Sequence, residues 1–100
     1  MTIKITPNDK GNPLGKLADA ELHFDDGPLA GLKLIGFNVW ERANGERHVS
    51  FPARQYSLNG ERRSFALLRP MAVGAHQTLN DAILAAYAEY EAREVEAAHA

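Results

Sequence analysis

Leu32-Lys33-Leu34-Ile35-Gly36-Phe37-Asn38-Val39-Trp40-Glu41-Arg42-Ala43-Asn44-Gly45-Glu46-Arg47-His48-Val49-Ser50-Phe51-Pro52 is the stretch on which the fold turns. Asn44-Gly45 separates two apolar-rich runs. An Asn-Gly pair in that setting signals a β-hairpin, because a type I′ turn needs positive φ at both central positions. The first run, Leu32–Arg42, reads as a long strand with Ile35, Phe37 and Val39 on one face and Leu32, Leu34 and Trp40 on the other. Apolar groups on both faces predict a central strand, or a face covered by something else. His48–Arg54 reads as the return strand, with Val49 and Phe51 inward. Pro52 has no N–H to give the ladder, so this strand lies at an edge or ends there.

Working towards the N-terminus, Leu17–Asp25 alternates cleanly, with Ala18, Ala20, Leu22 and Phe24 against Asp19, Glu21 and His23. That is the pattern of a half-buried strand. Asp25-Asp26-Gly27-Pro28 is turn chemistry, and so is the Pro, Asn, Asp and Gly cluster over 7–15. Thr2–Thr6 fits a short first strand. Towards the C-terminus, Asn59-Gly60 marks a second tight turn, and Arg63–Arg69 completes the meander.

The final third is helical. Thr78 reads as an N-cap with Asp81 three residues on, a variant of the capping box. Leu79, Ile83, Ala86, Tyr87 and Tyr90 then form a stripe wide enough to lie on a sheet. Over 92–100 little remains to bury, and fraying is expected. The sum is an α+β fold: an antiparallel meander sheet of four to five strands with one C-terminal helix. It forms one domain over 1–100, with its core in about 15–90.

Composition narrows the function. The 100 residues are 45% apolar and 24% charged, ordinary globular usage. No apolar run approaches the roughly 20 residues of a membrane helix, and the first residues lack a secretory apolar stretch, so a cytoplasmic location is expected. With no cysteine, disulfides, thiolate metal sites and a Cys nucleophile are excluded. His23, His48, His76 and His99 share no metal-ligand spacing. No Ser-His-Asp order, Gly-rich phosphate loop or nucleophile elbow is present. Asp25-Asp26 is placed as a turn would place it. We expect no catalytic residue, cofactor, metal or small-molecule substrate.

Charge supplies the functional lead. The net charge is −2, yet Arg42, Arg47, Arg54, Arg62, Arg63 and Arg69 face Glu46 and Glu61 within 42–69, a local +4. Beyond residue 70, Arg93 stands against Asp81, Glu89, Glu91, Glu94 and Glu96, a local −4. A basic middle can steer an anionic partner even when net charge is negative. Alternate turns of a meander point to opposite ends, which groups Arg54, Arg62 and Arg63 and sets Arg42 and Arg47 apart. A guanidinium fork matches two phosphate oxygens, so the grouped arginines suit DNA or RNA. The plainer alternative is a solvated face pairing with Glu46 and Glu61. Gln55, Tyr56, Ser57 and Asn59 could read base edges or stack on a base, and loop chemistry accounts for Ser57 and Asn59 equally well. Leu32, Leu34 and Trp40 need a cover that one helix cannot supply, which points to a homodimer.

Several strings together resemble the SpoVG (septation protein, stage V sporulation protein G) family over roughly 15–90. They are Leu17–Asp25, the Asn44-Gly45 hairpin, Val49-Ser50-Phe51-Pro52, Gly60-Glu61-Arg62-Arg63 with Phe65-Ala66, and Leu79-Asn80-Asp81-Ala82-Ile83-Leu84-Ala85-Ala86-Tyr87. The resemblance implies a small bacterial dimer that binds DNA, and in some members RNA. Such proteins regulate gene expression in sporulation, septation or virulence, with no known enzymatic activity. The family's basic pair after proline falls near Arg54 and Gln55, and its turn arginine on Arg63. The loop between Pro52 and Gly60 is one residue longer here, and Leu67-Leu68-Arg69-Pro70 replaces a short His-Pro. The rival expectation is a homodimeric protein-interaction module that recruits a partner through its dimer surface or acidic helix and binds no nucleic acid.

Overall fold

The computed structural model describes residues 1–99 of the chain, with side chains through residue 98. Four strands form an antiparallel sheet in chain order: β1 (Thr2–Pro7), β2 (Lys16–His23), β3 (Lys33–Glu41) and β4 (Arg47–Ser50). Two more, β5 (Ala53–Leu58) and β6 (Glu61–Ala66), pair with each other as a separate two-stranded ribbon. One helix, α1 (Ala75–His99), closes the chain and packs against β1, β3 and β4. The architecture is α+β, with an antiparallel sheet and a C-terminal helix.

The alternation read in 17–25 organises the core. Ala18, Ala20 and Leu22 are buried, and Phe24 packs at the margin. Phe37, Val39 and Val49 join them from β3 and β4, and Ile83 and Tyr87 close the layer from α1. Leu79 and Tyr90 extend the helix stripe at its two ends. Burying each large aliphatic or aromatic side chain contributes about 1.5–3 kcal/mol.

Four local expectations are corrected. First, β3 does not keep one parity. Gly36 sits at φ +104°, and the pairing with β2 slips between Ala20 and Leu22. Leu34, not Ile35, therefore packs on the core with Phe37 and Val39, and Ile35 is left 60% exposed. The bulge arises because only glycine takes that backbone freely and because Pro52 lies against it. A Cβ on Gly36 would stand 3.1 Å from the Pro52 Cβ.

Second, the first hairpin turn is not type I′. Gly45 has φ +87° while Asn44 stays out of the positive region. The Gly45 amide donates to the Arg42 carbonyl, and the Asn44 side chain accepts from the Glu46 amide. This is a three-residue connection, a turn followed by a left-handed glycine. The second turn does have both central residues positive, Asn59 at 53° and Gly60 at 81°.

Third, the sheet stops at Pro52. That residue is buried, and its carbonyl accepts from the Leu67 amide, which closes the base of the ribbon. The return strand read over 48–54 thus ends at Pro52, one of the outcomes expected there, and only its assignment of Ala53 and Arg54 is corrected, since they begin β5.

Fourth, the helix begins at Ala75, before Thr78. The Thr78 hydroxyl donates back to the Gly74 carbonyl at 3.0 Å, a bond made inside the first turn. At the other end α1 runs to His99. The side chain of His99 and all of Ala100 lie outside the described residues.

Candidate nucleic-acid interface

The ribbon is built by its turn. A two-residue type I′ connection pairs Leu58 with Glu61, and every outward pair follows: Ser57 with Arg62, Tyr56 with Arg63, Gln55 with Ser64, Arg54 with Phe65. Every residue of both strands is exposed. Directly paired residues share a face, and neighbours along a strand do not. One face therefore carries Arg54, Tyr56, Leu58, Glu61, Arg63 and Phe65. The other carries Ala53, Gln55, Ser57, Arg62, Ser64 and Ala66.

The four residues expected to touch nucleic acid thus all lie on the ribbon but divide between its faces. Arg54 and Arg63 stand together; Gln55 and Arg62 lie behind them. They do not form one cluster, because Arg62 and Arg63 are adjacent in an extended chain. Arg63 donates to Glu61 at 3.0 Å, the pairing that the solvated-face alternative anticipates. Among the described residues, neither Arg54 nor Arg62 has a carboxylate within ion-pair distance. Gln55 donates to the Ser64 hydroxyl at 3.4 Å.

Two contributors escaped the sequence reading. Phe65 is 49% exposed on the arginine face. Arg69, beyond the end of β6, lays its guanidinium 4.4 Å from the centre of the Phe65 ring and donates from Nε to the Ala66 carbonyl. The signal for the first was available: reading Asn59-Gly60 as a two-residue turn already pairs Phe65 with Arg54.

The remaining arginine of interest is structural. Arg47 binds Glu91 of α1 through two hydrogen bonds of 2.6 and 3.0 Å and stacks over Tyr87. Hydrogen bonding to Glu91 holds its guanidinium even further above its ordinary range. Burial pushes the Tyr87 hydroxyl up, aided by the Glu91 charge and opposed by Arg47. Arg42 is exposed at the first turn.

The three residues proposed for a dimer surface also separate. Leu32 is 58% exposed, Leu34 packs on the core, and Trp40 is half-buried with its indole N–H donating to the Ser50 hydroxyl at 2.8 Å. The Asn38 side chain donates to the same hydroxyl at 3.4 Å. Leu34 is therefore unavailable as an open-face contact.

The histidines take distinct places. His23 stands 2.7 Å from Glu21, which Lys33 also approaches at 3.5 Å. His76 stacks on Phe51 with ring centres 4.1 Å apart. His48 is half-buried, and its Nδ1 is buried with no partner among the described residues. Among those residues, no group of three or more histidine or acidic side chains could hold a metal ion, and no helix is long and apolar enough to cross a membrane.

Compared with family models, with curated proteins and with solved structures, the chain matches none.

Proposed function

We propose that the chain is a SpoVG-like regulator of the cytoplasm, non-enzymatic and homodimeric, that binds DNA or RNA through the β5–β6 ribbon. The observation that carries this reading is the ribbon itself. It presents guanidinium groups on both faces, and every residue of its strands is open to solvent. A two-stranded ribbon fits a nucleic-acid groove, where arginines on its two faces can reach phosphates on either wall. Dimerisation is supported by the apolar groups left open, Leu32 and Ile35 among them.

The test is an anisotropy titration with random duplex and single-stranded oligonucleotides, at low and then moderate salt. Three arginines per chain, doubled by a dimer, give a slope of log affinity against log salt near −5. Absence of binding at low salt and tens of micromolar protein rejects the reading. Binding that survives Arg54→Ala with Arg63→Ala rejects the site. Sedimentation at high concentration tests the dimer, which a clean monomer refutes.

A second reading has an observation of its own. Leu58, Leu67, Tyr56 and Phe65 leave an apolar surface on and beside the ribbon, as a protein-recruiting module would. Salt-independent self-association without nucleic-acid binding is its signature.

A further inference from the structure

We infer that the Tyr56 and Phe65 face of the ribbon takes single-stranded nucleic acid, stacking unpaired bases on its rings while Arg54 and Arg63 hold the phosphates. This rests on the nucleic-acid reading above and narrows its ligand.

The register makes the pattern. Arg54 lies across from Phe65, and Arg63 across from Tyr56. The two rings occupy one diagonal and the two guanidinium groups the other. Along each strand a ring and a cation are two residues apart, about 6.6 Å in extended backbone. The arrangement alternates an apolar plane and a positive fork, as a single strand alternates base and phosphate.

Neither ring belongs to the core cluster, although Arg69 lies over that of Phe65. Tyr56 is 43% exposed and Phe65 49% exposed. Both lie on a ribbon whose strand residues are all exposed. The guanidinium of Arg69, 4.4 Å from the Phe65 ring centre, adds a second flat cationic surface on which a base can stack.

Arginine alone does not distinguish duplex from single strand, because both expose phosphate. Aromatic faces do. In a duplex the base planes are already stacked on each other and only their edges are accessible, whereas an unpaired base offers its whole π-face. Such stacking tolerates any base, so the face is expected to be weakly selective for sequence. Glu61, which shares this face beside the turn, is paired with Arg63 at 3.0 Å, so a phosphate that reaches Arg63 displaces that carboxylate.

The experiment compares a labelled deoxythymidine strand of about 10 nucleotides with a duplex of equal length at low salt. The single strand is expected to bind more tightly. Tyr56→Ala and Phe65→Ala are each expected to weaken it roughly 5- to 100-fold while leaving duplex binding unchanged. Tyr56→Phe retains the ring and is expected to retain affinity. Because both rings are exposed, the thermal midpoint of each variant should match that of the parent. A Tyr56→Trp variant reports directly, through emission quenched by the added strand. If the duplex binds as tightly, or the alanine variants bind the strand like the parent, the inference fails and the broader reading stands. If neither oligonucleotide binds, both fail. If the alanine variants dissociate a dimer without changing strand affinity, the face belongs to a second copy and the inference fails.

Discussion

Arg47 on β4 grips Glu91 on α1, Nη1 to Oε1 at 2.6 Å and Nη2 to Oε2 at 3.0 Å, while its Nε reaches Glu41 at 3.4 Å. The guanidinium lies 5.1 Å from the centre of the Tyr87 ring, so one side chain joins two carboxylates and an aromatic across the sheet–helix seam. Paired fork geometry is the strong form of an ion pair, but both partners are about a third exposed, which screens it. Arg47→Ala is expected to cost about 1–2 kcal/mol, including the lost ring contact. A urea midpoint equal to that of the parent would show that the seam is held by packing alone.

Ile83 is fully buried between α1 and the sheet, in one cluster with Phe37 and Val39. Truncation there leaves a cavity, and Ile83→Ala is expected to cost about 2–5 kcal/mol. Val95→Ala, at a position 57% exposed on the same helix, is expected to stay within about 0.5 kcal/mol. Equal effects of the two changes in chemical denaturation would contradict the helix orientation described above.

Gly36 and Gly45 separate two causes of glycine dependence. Both have positive φ, but a Cβ at Gly45 meets nothing within 4 Å, while one at Gly36 meets Pro52 at 3.1 Å. Gly45→Ala is expected to cost about 1 kcal/mol from backbone alone, and Gly36→Ala more, up to about 3 kcal/mol, since Pro52 must also move. Thermal unfolding of the two variants side by side decides it. The idea is wrong if Gly45→Ala proves the more damaging.

Glu21 couples the sheet to acid. The hydrogen bond from His23 holds its carboxyl below the ordinary value of 4.5, burial opposes the shift, and the charge of Lys33 adds to it. A carboxylate with a depressed folded-state pKa stabilises fully above its unfolded value and loses that contribution as pH falls through the folded value. Glu21→Gln is therefore expected to flatten the stability profile below about pH 4.5. Urea midpoints measured from neutral to acidic pH provide the check, and parallel curves for parent and variant would refute it.

The parts of the fold legible in the sequence are those set by unbroken periodicity. The alternation over Leu17–Asp25 and the helix stripe through Ile83 and Tyr87 both appear as read. What was not legible depends on single residues that break a period. The Gly36 bulge exchanges the roles of Leu34 and Ile35, because one extra residue in a strand turns every earlier side chain over. Pro52 ends β4 as its missing N–H suggested, but its packing against Gly36, a contact remote in sequence, was not legible. At the candidate site the arginines were found but not their faces, since grouping them by turn ignored the period of two that parts Arg62 from Arg63. Phe65 was not placed at the site, and its pairing with Arg54 is what puts it on the arginine face.

A ribbon whose strands bury none of their side chains also separates two evolutionary demands. Every residue of β5 and β6 is exposed and none belongs to the core cluster, so the ribbon can be rewritten at less cost to the body that carries it than the sheet can. Ligand preference in such a molecule can drift quickly while its scaffold stays still, provided that Asn59 and Gly60 keep the turn.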